Sequence, residues 1–473
     1  MPKPRFHLIY NQDCMNLFHV ARGPVTPEHV DEMVDEIASA GVDVLLLNGN
    51  AQKTCHPSEV WETFWEGYEA GDTEFFGAIP AEEIPARRRW VEGTRRLAEG
   101  GCDYLARGLA RCRERGMTPG ITVRMNDVHD YPQRPDSHLF SEFYRAHPEM
   151  RLENPPELGW GSGGLNYARA EVRGHYLAYI GELVDSYEFD ALDLDFLRFD
   201  QYFPHGEGRD RAEVMTGFVR EVRRTLRSSG REIALLARVA TTPEAARELG
   251  FAVGQWSKEN LVDGVTVGAF LTTDWNMPVE EWRALLGEEV GLYVSTDYAA
   301  DRREGAWRWL PLEDELLRGF AAGHQAGGAD GVYLFNFFCA REGDTPVDPH
   351  FAALRTLDEP GATKAYLVNT GVSAALTDMP AEVPALVTTG AARGFSMLVG
   401  ELRETEPIWV VVSCEEAATR LQLQINGVAI PGKGTVWETP AAVWRAGRNE
   451  VAVRNEGPTV TILGVEVRVG SSQ

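Results

Sequence analysis

Two acidic residues, Asp193 and Asp195, stand two positions apart within a short apolar segment, 190–199. A short apolar run between helical patterns predicts a buried strand, and residues two apart on a strand point to the same face. Two carboxyl groups on one face of a core strand are costly unless that face opens on a solvated site. Burial and mutual repulsion raise the pKa of at least one such group, which suits acid–base or nucleophilic chemistry. We therefore predict a functional site here, and the alternative is a buried acid satisfied by an arginine or by backbone donors.

The elements that must position this pair alternate between strand and helix from the N-terminus to about residue 360. Eight segments have the composition of strands: Phe6–Asn11, Val42–Asn48, Thr118–Asn126, Ala191–Phe196, Ile233–Val239, Gly264–Phe270, Gly291–Ser295 and Gly331–Asn336. Helical patterns lie between them, among them Glu28–Ala40, Arg88–Arg115, Ala170–Tyr187, Arg211–Ser228 and Leu312–Gln325. Eight β-α repeats predict an α/β protein with a closed (β/α)8 TIM barrel. No glycine-rich phosphate loop follows the first strand, which disfavours a dinucleotide-binding fold.

The pattern changes near residues 358–361. Beyond them, short alternating strands are separated by turns such as Asn426-Gly427: Ala385–Thr388, Phe395–Gly400, Ile408–Val412, Arg420–Ile425, Glu450–Arg454 and Val460–Val469. This pattern predicts a small antiparallel β-sandwich of the jelly-roll type. We therefore divide the chain into a barrel, 1–360, and an accessory β-sandwich, 361–473. The sandwich either binds a glycan or braces the barrel, and we favour bracing.

Two long connections, 49–87 and 127–169, follow the second and third strands. Both are expected on the C-terminal face of the barrel, where barrel enzymes carry their sites. The first contains Trp61, Phe64, Trp65 and Tyr68, a spacing that indicates one helical face. We expect this face to pack on the barrel, and the alternative is that it stacks on a ligand.

Polar residues at the C-terminal strand ends are the candidates for the site, because the interior of a barrel is packed with apolar layers. Every predicted strand contributes some of them: Asn11 and Asp13; Asn48; Arg124, Asn126, Asp127 and His129; Asp193, Asp195 and Arg198; Arg238; Asp274 and Trp275; Asp297 and Tyr298; and Asn336. Acids, amides, arginines and aromatic rings together are typical of sugar recognition, which uses paired hydrogen bonds to hydroxyls and ring stacking.

The composition of the chain limits the classes of partner that it can bind. A formal charge of −25 argues against nucleic acid and anionic membranes, which both demand a basic face. No apolar run is long enough for a membrane span and no signal peptide is evident, so we expect a cytoplasmic protein unless a leader was removed. The six cysteines are scattered without a C-x-x-C pair, and we expect free thiols, no metal site and no cofactor. Nothing in the sequence indicates an oligomeric state.

Two of these segments also resemble a known family. The strand-three motif Arg124–Asp130 and the strand-four motif Leu194–Arg198 resemble those of bacterial glycoside-hydrolase-like TIM barrels, called glycosyl-hydrolase-10-like proteins, which are mostly uncharacterised. The resemblance covers the whole barrel and implies a glycoside hydrolase acting on an oligo- or polysaccharide.

Three better-known groups refine what the resemblance implies. Asp190, Asp193 and Asp195 match the chitinase motif, but Leu197 stands where chitinases have the catalytic Glu, which argues against their substrate-assisted mechanism. Barrels of the α-galactosidase clan use an Asp nucleophile on strand four and an Asp acid on strand six, positions held here by Asp195 and Asp274. The retaining barrels with Glu on strands four and seven are not matched.

The leading hypothesis is glycoside hydrolysis by a pair of carboxyl groups. Asp195 is our candidate nucleophile or base, and Asp274 is the first candidate acid, followed by Asp297 and Asp127. Arg198 and Arg238 would hold Asp195 ionised, and the remaining strand-end residues would bind substrate.

Two alternatives stay open. One is a non-catalytic carbohydrate-binding protein with a degenerate site. The other is a lyase acting on uronic acid polymers, in which Arg124, Arg198 and Arg238 neutralise a substrate carboxylate and His129 or Tyr131 is the base.

Overall fold

The computed structural model describes residues 5–19, 24–155, 158, 162–270, 272–297, 299–303, 308–335, 337, 351–357, 359, 361–369, 379–415 and 420–470. Two of the candidate site residues, Tyr298 and Asn336, lie outside these ranges. Within the described ranges, no helix is long and apolar enough to cross a membrane.

Eight parallel strands close into a barrel, which confirms the predicted fold class. The strands up to the end of the barrel are β1 (Leu8–Gln12), β2 (Val44–Asn48), β3 (Thr118–Arg124), β4 (Ala191–Asp195), β5 (Ala234–Val239), β6 (Gly264–Val267), β7 (Gly291–Asp297), β8 (Ala299–Arg303), β9 (Arg308–Pro311) and β10 (Gly331–Phe335). The barrel order is β1-β10-β7-β6-β5-β4-β3-β2, and β1 pairs with both β10 and β2 to close it. Strands β8 and β9 form a separate antiparallel hairpin after β7, which the sequence did not predict.

Helices connect the strands. They are α1 (Cys14–His19), α2 (Pro27–Ser39), α3 (Ile84–Glu99), α4 (Tyr104–Glu114), α5 (Glu142–Ala146), α6 (Ala170–Ser186), α7 (Ala212–Ser228), α8 (Pro243–Glu248), α9 (Val253–Lys258), α10 (Val279–Leu286), α11 (Asp314–Ala326) and α12 (Phe351–Leu354). Helix α7 illustrates their amphipathic pattern, because its buried apolar residues recur at helical spacing: Met215, Phe218, Val219, Val222 and Leu226.

Two helix predictions were wrong. The segment 88–115 forms two helices rather than one, because Gly101 adopts a left-handed φ of 80° and Asp103 then caps α4 by accepting from the N–H groups of Leu105 and Ala106. The segment 61–68 forms turns rather than a helix. Trp61, Phe64 and Tyr68 are nevertheless buried, as expected for packing against the barrel rather than stacking on a ligand.

The second half of the chain forms two antiparallel sheets. Their strands are β11 (Lys364–Leu367), β12 (Ala385–Val387), β13 (Ala392–Val399), β14 (Ile408–Cys414), β15 (Leu421–Ile425), β16 (Val428–Ile430), β17 (Val436–Glu438), β18 (Gly447–Asn455) and β19 (Val460–Val469). One sheet has the order β11-β19-β14-β17, with β12 on β19, and the other has the order β13-β18-β15-β16. Between β15 and β16, Asn426 and Gly427 both have positive φ, as a two-residue hairpin turn requires. The sheets share a hydrophobic core separate from that of the barrel, as in a β-sandwich.

Helix α11 fastens the sandwich to the barrel. Gly319 and Gly323 lie four residues apart on one face of α11, where the sandwich backbone comes very close. A Cβ added at Gly319 would lie 1.8 Å from the carbonyl oxygen of Ala365, and one at Gly323 would lie 2.4 Å from that of Leu398. Arg448 adds hydrogen bonds from the sandwich to Asn276 and Met277 in the connection after β6. These contacts support the bracing interpretation of the sandwich.

We expect Gly319→Ala to destabilise the protein and Gly174→Ala to stabilise it. Both glycines lie inside helices, but a Cβ at Gly174 would meet nothing within 4 Å. Relief of backbone entropy alone should therefore stabilise Gly174→Ala by about 0.5–1 kcal/mol. Gly319→Ala must push the sandwich away from α11, at a cost of about 1–3 kcal/mol.

Urea unfolding of both variants beside the wild type measures these free energies. Equal stabilisation of the two variants would contradict the close approach at α11.

Candidate functional site

The candidate site lies on the inward face of the barrel at the C-terminal ends of its strands. Alternate residues of the strands fill the interior, and the apolar ones form one core: Ile9, Val44, Leu46, Ala191, Ala234, Leu236, Tyr293, Tyr333 and Phe335. Continuing the same alternation toward the C-terminal ends places polar residues on this face: Asn11, Asn48, Thr122, Arg124, Asp193, Asp195, Arg238 and Asp297. The strand ends therefore change from an apolar interior to a polar mouth.

Asp195 lies at the centre of a row of charges. The strand register sets Asp195 on β4 directly beside Arg124 on β3 and Arg238 on β5. All three side chains are buried, with residue exposures of 1 %, 4 % and 0 %. The chain thus places an acid between two arginines on adjacent strands, in a region where water screens charge weakly.

Four hydrogen bonds hold the Asp195 carboxylate. Nη1 of Arg238 lies 3.2 Å from both oxygens of Asp195. Oδ1 also accepts from the backbone N–H groups of Leu197, at 3.1 Å, and Arg198, at 3.2 Å. Arg238 in turn donates from Nη2 to the carbonyl oxygen of Ala269 at 3.0 Å. The position of this carboxylate is therefore determined by one cation and by the backbone turn that follows β4.

Asp193 lies one layer deeper in the barrel. Its Oδ2 accepts from the hydroxyls of Thr122 and Tyr333, each at 2.9 Å, while its buried Oδ1 has no hydrogen-bond partner. Burial, and then the charge of Asp195, raise the pKa of Asp193 to about 7. The sequence prediction that one member of this pair has a raised pKa agrees with this value. Near neutral pH, Asp193 retains its proton over a range in which an ordinary Asp has lost it.

A ring of five charged or polar side chains surrounds the mouth beside Asp195. Arg124 donates from Nη2 to Asp13 at 2.5 Å and from Nη1 to Asp127 at 3.2 Å. The other oxygen of Asp127 lies 2.7 Å from Nδ1 of His129, and Nε2 of His129 lies 3.4 Å from Nη2 of Arg198. The same Nη2 lies 3.6 Å from Asp13, which closes the ring. Since the ring joins β1, β3 and the turn after β4, it ties three strand ends together.

The ring sets the protonation of Asp127. Burial acts to raise the pKa of Asp127, but His129, Arg124 and Arg198 outweigh it and hold that pKa well below its ordinary value. Asp127 is therefore ionised throughout the neutral range, and it orients the imidazole of His129 through Nδ1. The His129 side chain is 30 % exposed, so this Asp–His pair reaches the solvent.

Aromatic rings surround Arg198. Its guanidinium lies 5.6 Å from the ring centre of Phe270 and 5.5 Å from that of Phe335. Burial, and then the charge of Arg124, lower the pKa of Arg198 to about 10. The next residue, Phe199, has a φ of 67°, a left-handed conformation that is rare for a bulky side chain. The turn after β4 thus holds an uncommon backbone conformation directly beside the site.

Asp274 and Trp275 make contacts toward the sandwich. Oδ2 of Asp274 accepts from the backbone N–H of Met379 at 2.9 Å. The backbone N–H of Trp275 donates to Asn369 at 2.6 Å, and its buried ring lies edge-on to Phe320 of α11. The expectation that Trp275 stacks on a sugar does not match this placement, because the ring is buried against a helix.

Three of the four predicted amides lie in the described residues, and all three contact the protein itself. Asn126 donates to the carbonyl oxygens of Leu165 and Gln201, and so braces the connection after β3. Asn48 donates to the carbonyl oxygen of Thr122. Asn11 donates to the hydroxyl of Tyr333 at 2.5 Å. These amides organise the interior of the site, and Asp297 occupies the inward face of β7 beside Phe335 on β10.

Sequence reasoning missed several residues of the site, namely Thr122, Phe199, Phe270, Tyr333 and Phe335. Strand alternation carried the signal for three of them, because Thr122 lies two residues before Arg124, and Tyr333 and Phe335 lie two apart on β10. The emphasis on polar residues caused the omission.

Neither a metal site nor a disulfide is found in the part of the chain that the structure describes. In those residues, no group of three or more His, Cys, Asp or Glu side chains is arranged to hold a metal ion. Cys55, Cys102 and Cys112 are free thiols.

Comparison with known proteins comes from solved structures. No protein-family model and no curated protein sequence matches the chain. An α-L-fucosidase isoenzyme 2 from Paenibacillus thiaminolyticus is 11 % identical over 75 % of this chain, with a TM-score of 0.46. This chain spans about half of that enzyme, 48 % of its length.

Two further structures extend the comparison. The PgaB glycoside hydrolase domain from Bordetella bronchiseptica is 11 % identical over 75 % of this chain and 99 % of its own, with a TM-score of 0.46. A putative α-L-fucosidase from Bacteroides thetaiotaomicron is 12 % identical over 98 % of this chain and 91 % of its own, with a TM-score of 0.40. None of these descriptions names the glycosyl-hydrolase-10-like group. At such identities and TM-scores, chemistry has to be inferred from the side chains of the site.

We expect Asp193→Asn to change the pH dependence of stability. Because the pKa of Asp193 is raised to about 7 in the folded protein, the folded state binds this proton more tightly than the unfolded state does. Wild-type stability therefore loses up to about 1.4 kcal/mol per pH unit as the pH rises from about 4 to about 7. The asparagine variant cannot ionise, so it lacks this loss.

Urea unfolding of both proteins between about pH 5 and pH 8 measures the difference in slope. Asp190→Asn is the matched control, because Asp190 is an exposed partner of Arg113 at the other end of β4. Parallel curves for wild type and Asp193→Asn would show that Asp193 has an ordinary pKa.

Proposed function

We propose that the protein is a glycoside hydrolase in which Asp195 is the carboxylate at the reacting centre. The observation that carries the proposal is the environment of Asp195: a buried carboxylate at a C-terminal strand end, aligned by Arg238 and two backbone N–H groups. Such a group can stabilise or attack an oxocarbenium-like centre, because its charge is fixed in place before the substrate arrives. The position at the mouth of a TIM barrel is where enzymes of this fold carry their chemistry.

The proton donor that we favour is Asp297. Asp127 is held ionised by its neighbours, so it is a poor acid. Asp274 accepts a backbone hydrogen bond at the junction with the sandwich. Asp297 faces inward at the end of β7, so that it lies at the same C-terminal end of the barrel as Asp195. Of the three candidate acids, Asp297 therefore has the placement that best suits a role opposite Asp195.

The proposed reaction breaks the bond between the anomeric carbon and the leaving oxygen. Asp297 gives its proton to the leaving oxygen as that bond breaks. Asp195 either attacks the anomeric carbon or removes a proton from the attacking water. Water supplies the new hydroxyl at the anomeric carbon. If Asp195 attacked the carbon, this water displaces Asp195 and gives its other proton to Asp297; if Asp195 acted as the base, the proton that it took up passes through solvent to Asp297, so that both carboxyl groups regain their initial states.

A second candidate function is a lyase that acts on uronic acid polymers. The observation that favours it is the contact of 2.7 Å between Asp127 and Nδ1 of His129, on a partly exposed imidazole. A carboxylate that orients a histidine in this way makes Nε2 the base, as proton abstraction beside a carboxyl group requires. A lyase leaves an unsaturated product, whereas a hydrolase does not.

We expect Asp195→Asn to lower glycan cleavage on the order of a thousandfold, because the reacting carboxylate is replaced by a neutral amide. A panel of oligo- and polysaccharides is incubated with the wild type and the variant, and new reducing ends and ultraviolet absorbance are followed together. Asp190→Asn is the matched control and should retain wild-type rates, since Asp190 immediately precedes the same strand, at the opposite end of the barrel, where it pairs with Arg113.

The outcomes separate the candidate functions. Reducing ends without absorbance, lost in Asp195→Asn, support the hydrolase. A rise in absorbance that depends on His129 supports the lyase instead. Full activity of Asp195→Asn would contradict the role given to this carboxylate. Binding of a glycan without any turnover by the wild type would favour the carbohydrate-binding protein with a degenerate site.

A further inference from the structure

We propose that Arg198 forms a subsite for a carboxylate group of the substrate, so that the natural glycan contains an acidic sugar. The inference deepens the proposed function, on which it rests, by naming the substrate class. It starts from the pairing of the arginines at the barrel mouth. Arg124 donates to Asp13 and Asp127, and Arg238 donates to both oxygens of Asp195. Both cations therefore have a hydrogen-bonded carboxylate within the protein, although Nε of Arg238 is buried without a partner of its own.

Arg198 differs from its two neighbours. Its side chain is only 8 % exposed, yet among the described residues its ion pair is the long one with Oδ2 of Asp13 at 3.6 Å, and none of their carboxylates is hydrogen-bonded to its guanidinium. Its Nε is buried and has no hydrogen-bond partner. Its Nη2 lies 3.4 Å from the imidazole Nε2 of His129, besides its longer contact with Asp13. Asp195 contacts the backbone N–H of Arg198 rather than its guanidinium.

A buried guanidinium with an unpaired Nε and no hydrogen-bonded carboxylate is costly, since its lost hydration is only partly replaced. Such a cost is retained where a ligand supplies the missing partner. The rings of Phe270 and Phe335, whose centres lie 5.6 and 5.5 Å from the guanidinium, offer it aromatic faces but no acceptor oxygen. The missing partner is therefore an acceptor that enters through the mouth of the barrel.

The geometry of the unsatisfied donors favours a carboxylate. Nε and an Nη group of a guanidinium form a planar fork that matches the two oxygens of one carboxylate. Asp13 and Asp127 are the acidic groups nearest to this fork, and Arg124 already neutralises much of their charge. His129, which shares Asp127 with Arg124, supplies a further nitrogen beside the same position. A neutral hydroxyl would satisfy one donor and leave the charge unpaired.

Binding to matched probes tests the proposal. The probes are oligogalacturonides and oligoglucuronides, each compared with its methyl ester, which keeps the sugar rings and removes the charge. Calorimetry uses the full-length Asp195→Asn protein, so that the probe is not consumed, and is repeated with Arg198→Met, Arg198→Lys and Arg113→Met in that background. Arg113→Met is the matched control, because Arg113 is an exposed arginine at the other end of the barrel.

We expect the acid form of at least one probe to bind about tenfold or more tightly than its ester. Arg198→Met should reduce this preference to less than about twofold, and Arg198→Lys should keep only part of it, because the charge remains but the fork is lost. Arg113→Met should keep the full preference. Thermal unfolding gives an independent measure: Arg198→Met should melt no lower than the wild type, because it removes an unpaired buried charge.

Three results would overturn the carboxylate subsite. The first is the lack of any preference, whether acid and ester bind equally or neither binds. The second is a preference for the acid that survives Arg198→Met. The third is tighter binding of a sulfated oligosaccharide than of any uronide. A large drop in the melting temperature of Arg198→Met would equally show that Arg198 is structural. Failure of the proposed function gives a different result. The acid probes would still bind more tightly than their esters, but the wild type would cleave no glycan of the panel. Equal cleavage of neutral and acidic glycans would leave the hydrolase standing without the subsite.

Discussion

The contact between Asp195 and Arg238 is the interaction on which the rest of the site depends. Both side chains are fully buried, so neither charge could remain without the other, and the strand register brings them side by side. Around this pair, the protein distributes charge in layers. Asp193 below retains a proton near neutral pH, which avoids two adjacent negative charges, and Arg124 on the other flank is occupied by Asp13 and Asp127. The mouth of the barrel therefore holds many charged side chains, and their positive and negative charges nearly cancel.

Arg198 is the arginine of the described mouth that departs most from this balance. It follows β4 in a turn that adopts the uncommon backbone conformation at Phe199, and its guanidinium lies among aromatic rings with Asp13 no nearer than 3.6 Å. Strain and unpaired charge are both unfavourable for folding, and both occur in the same few residues. The sandwich adds rigidity to the opposite side of the mouth, because Asp274 and Trp275 after β6 are hydrogen-bonded to the chain that leads into it. Ion pairs thus fix one side of the site, and contacts with the sandwich fix the other side. Such a rigid, charged site suits recognition of a polar ligand.

Much of the architecture could be predicted because it depends on local periodicity. Each of the eight barrel strands was recognised from a short apolar run, and six of the sandwich strands from their alternation and their turns. The short strands β11, β16 and β17 were not predicted. Errors arose where one residue overrides the pattern. The helix predicted over 88–115 is interrupted near Gly101, which has a left-handed φ. The aromatic residues of 61–68 recur at helical spacing, but the segment that buries them forms turns. Predictions that Tyr298 and Asn336 belong to the site concern residues outside the described ranges.

By itself, the sequence determined that two acids share one face of β4, that strand ends carry arginines and acids, and that a barrel gathers them at one mouth. These conclusions need only the two-residue period of a strand and the topology of parallel strands. Only the tertiary structure decided which arginine serves which acid. Arg198 and Arg238 were both expected to hold the Asp195 carboxylate. Of the two side chains, only that of Arg238, on the next strand, is hydrogen-bonded to it, and Arg198 contacts it through the backbone N–H. The physical reason is that contact across strands depends on register and side-chain direction, which sequence separation does not reveal.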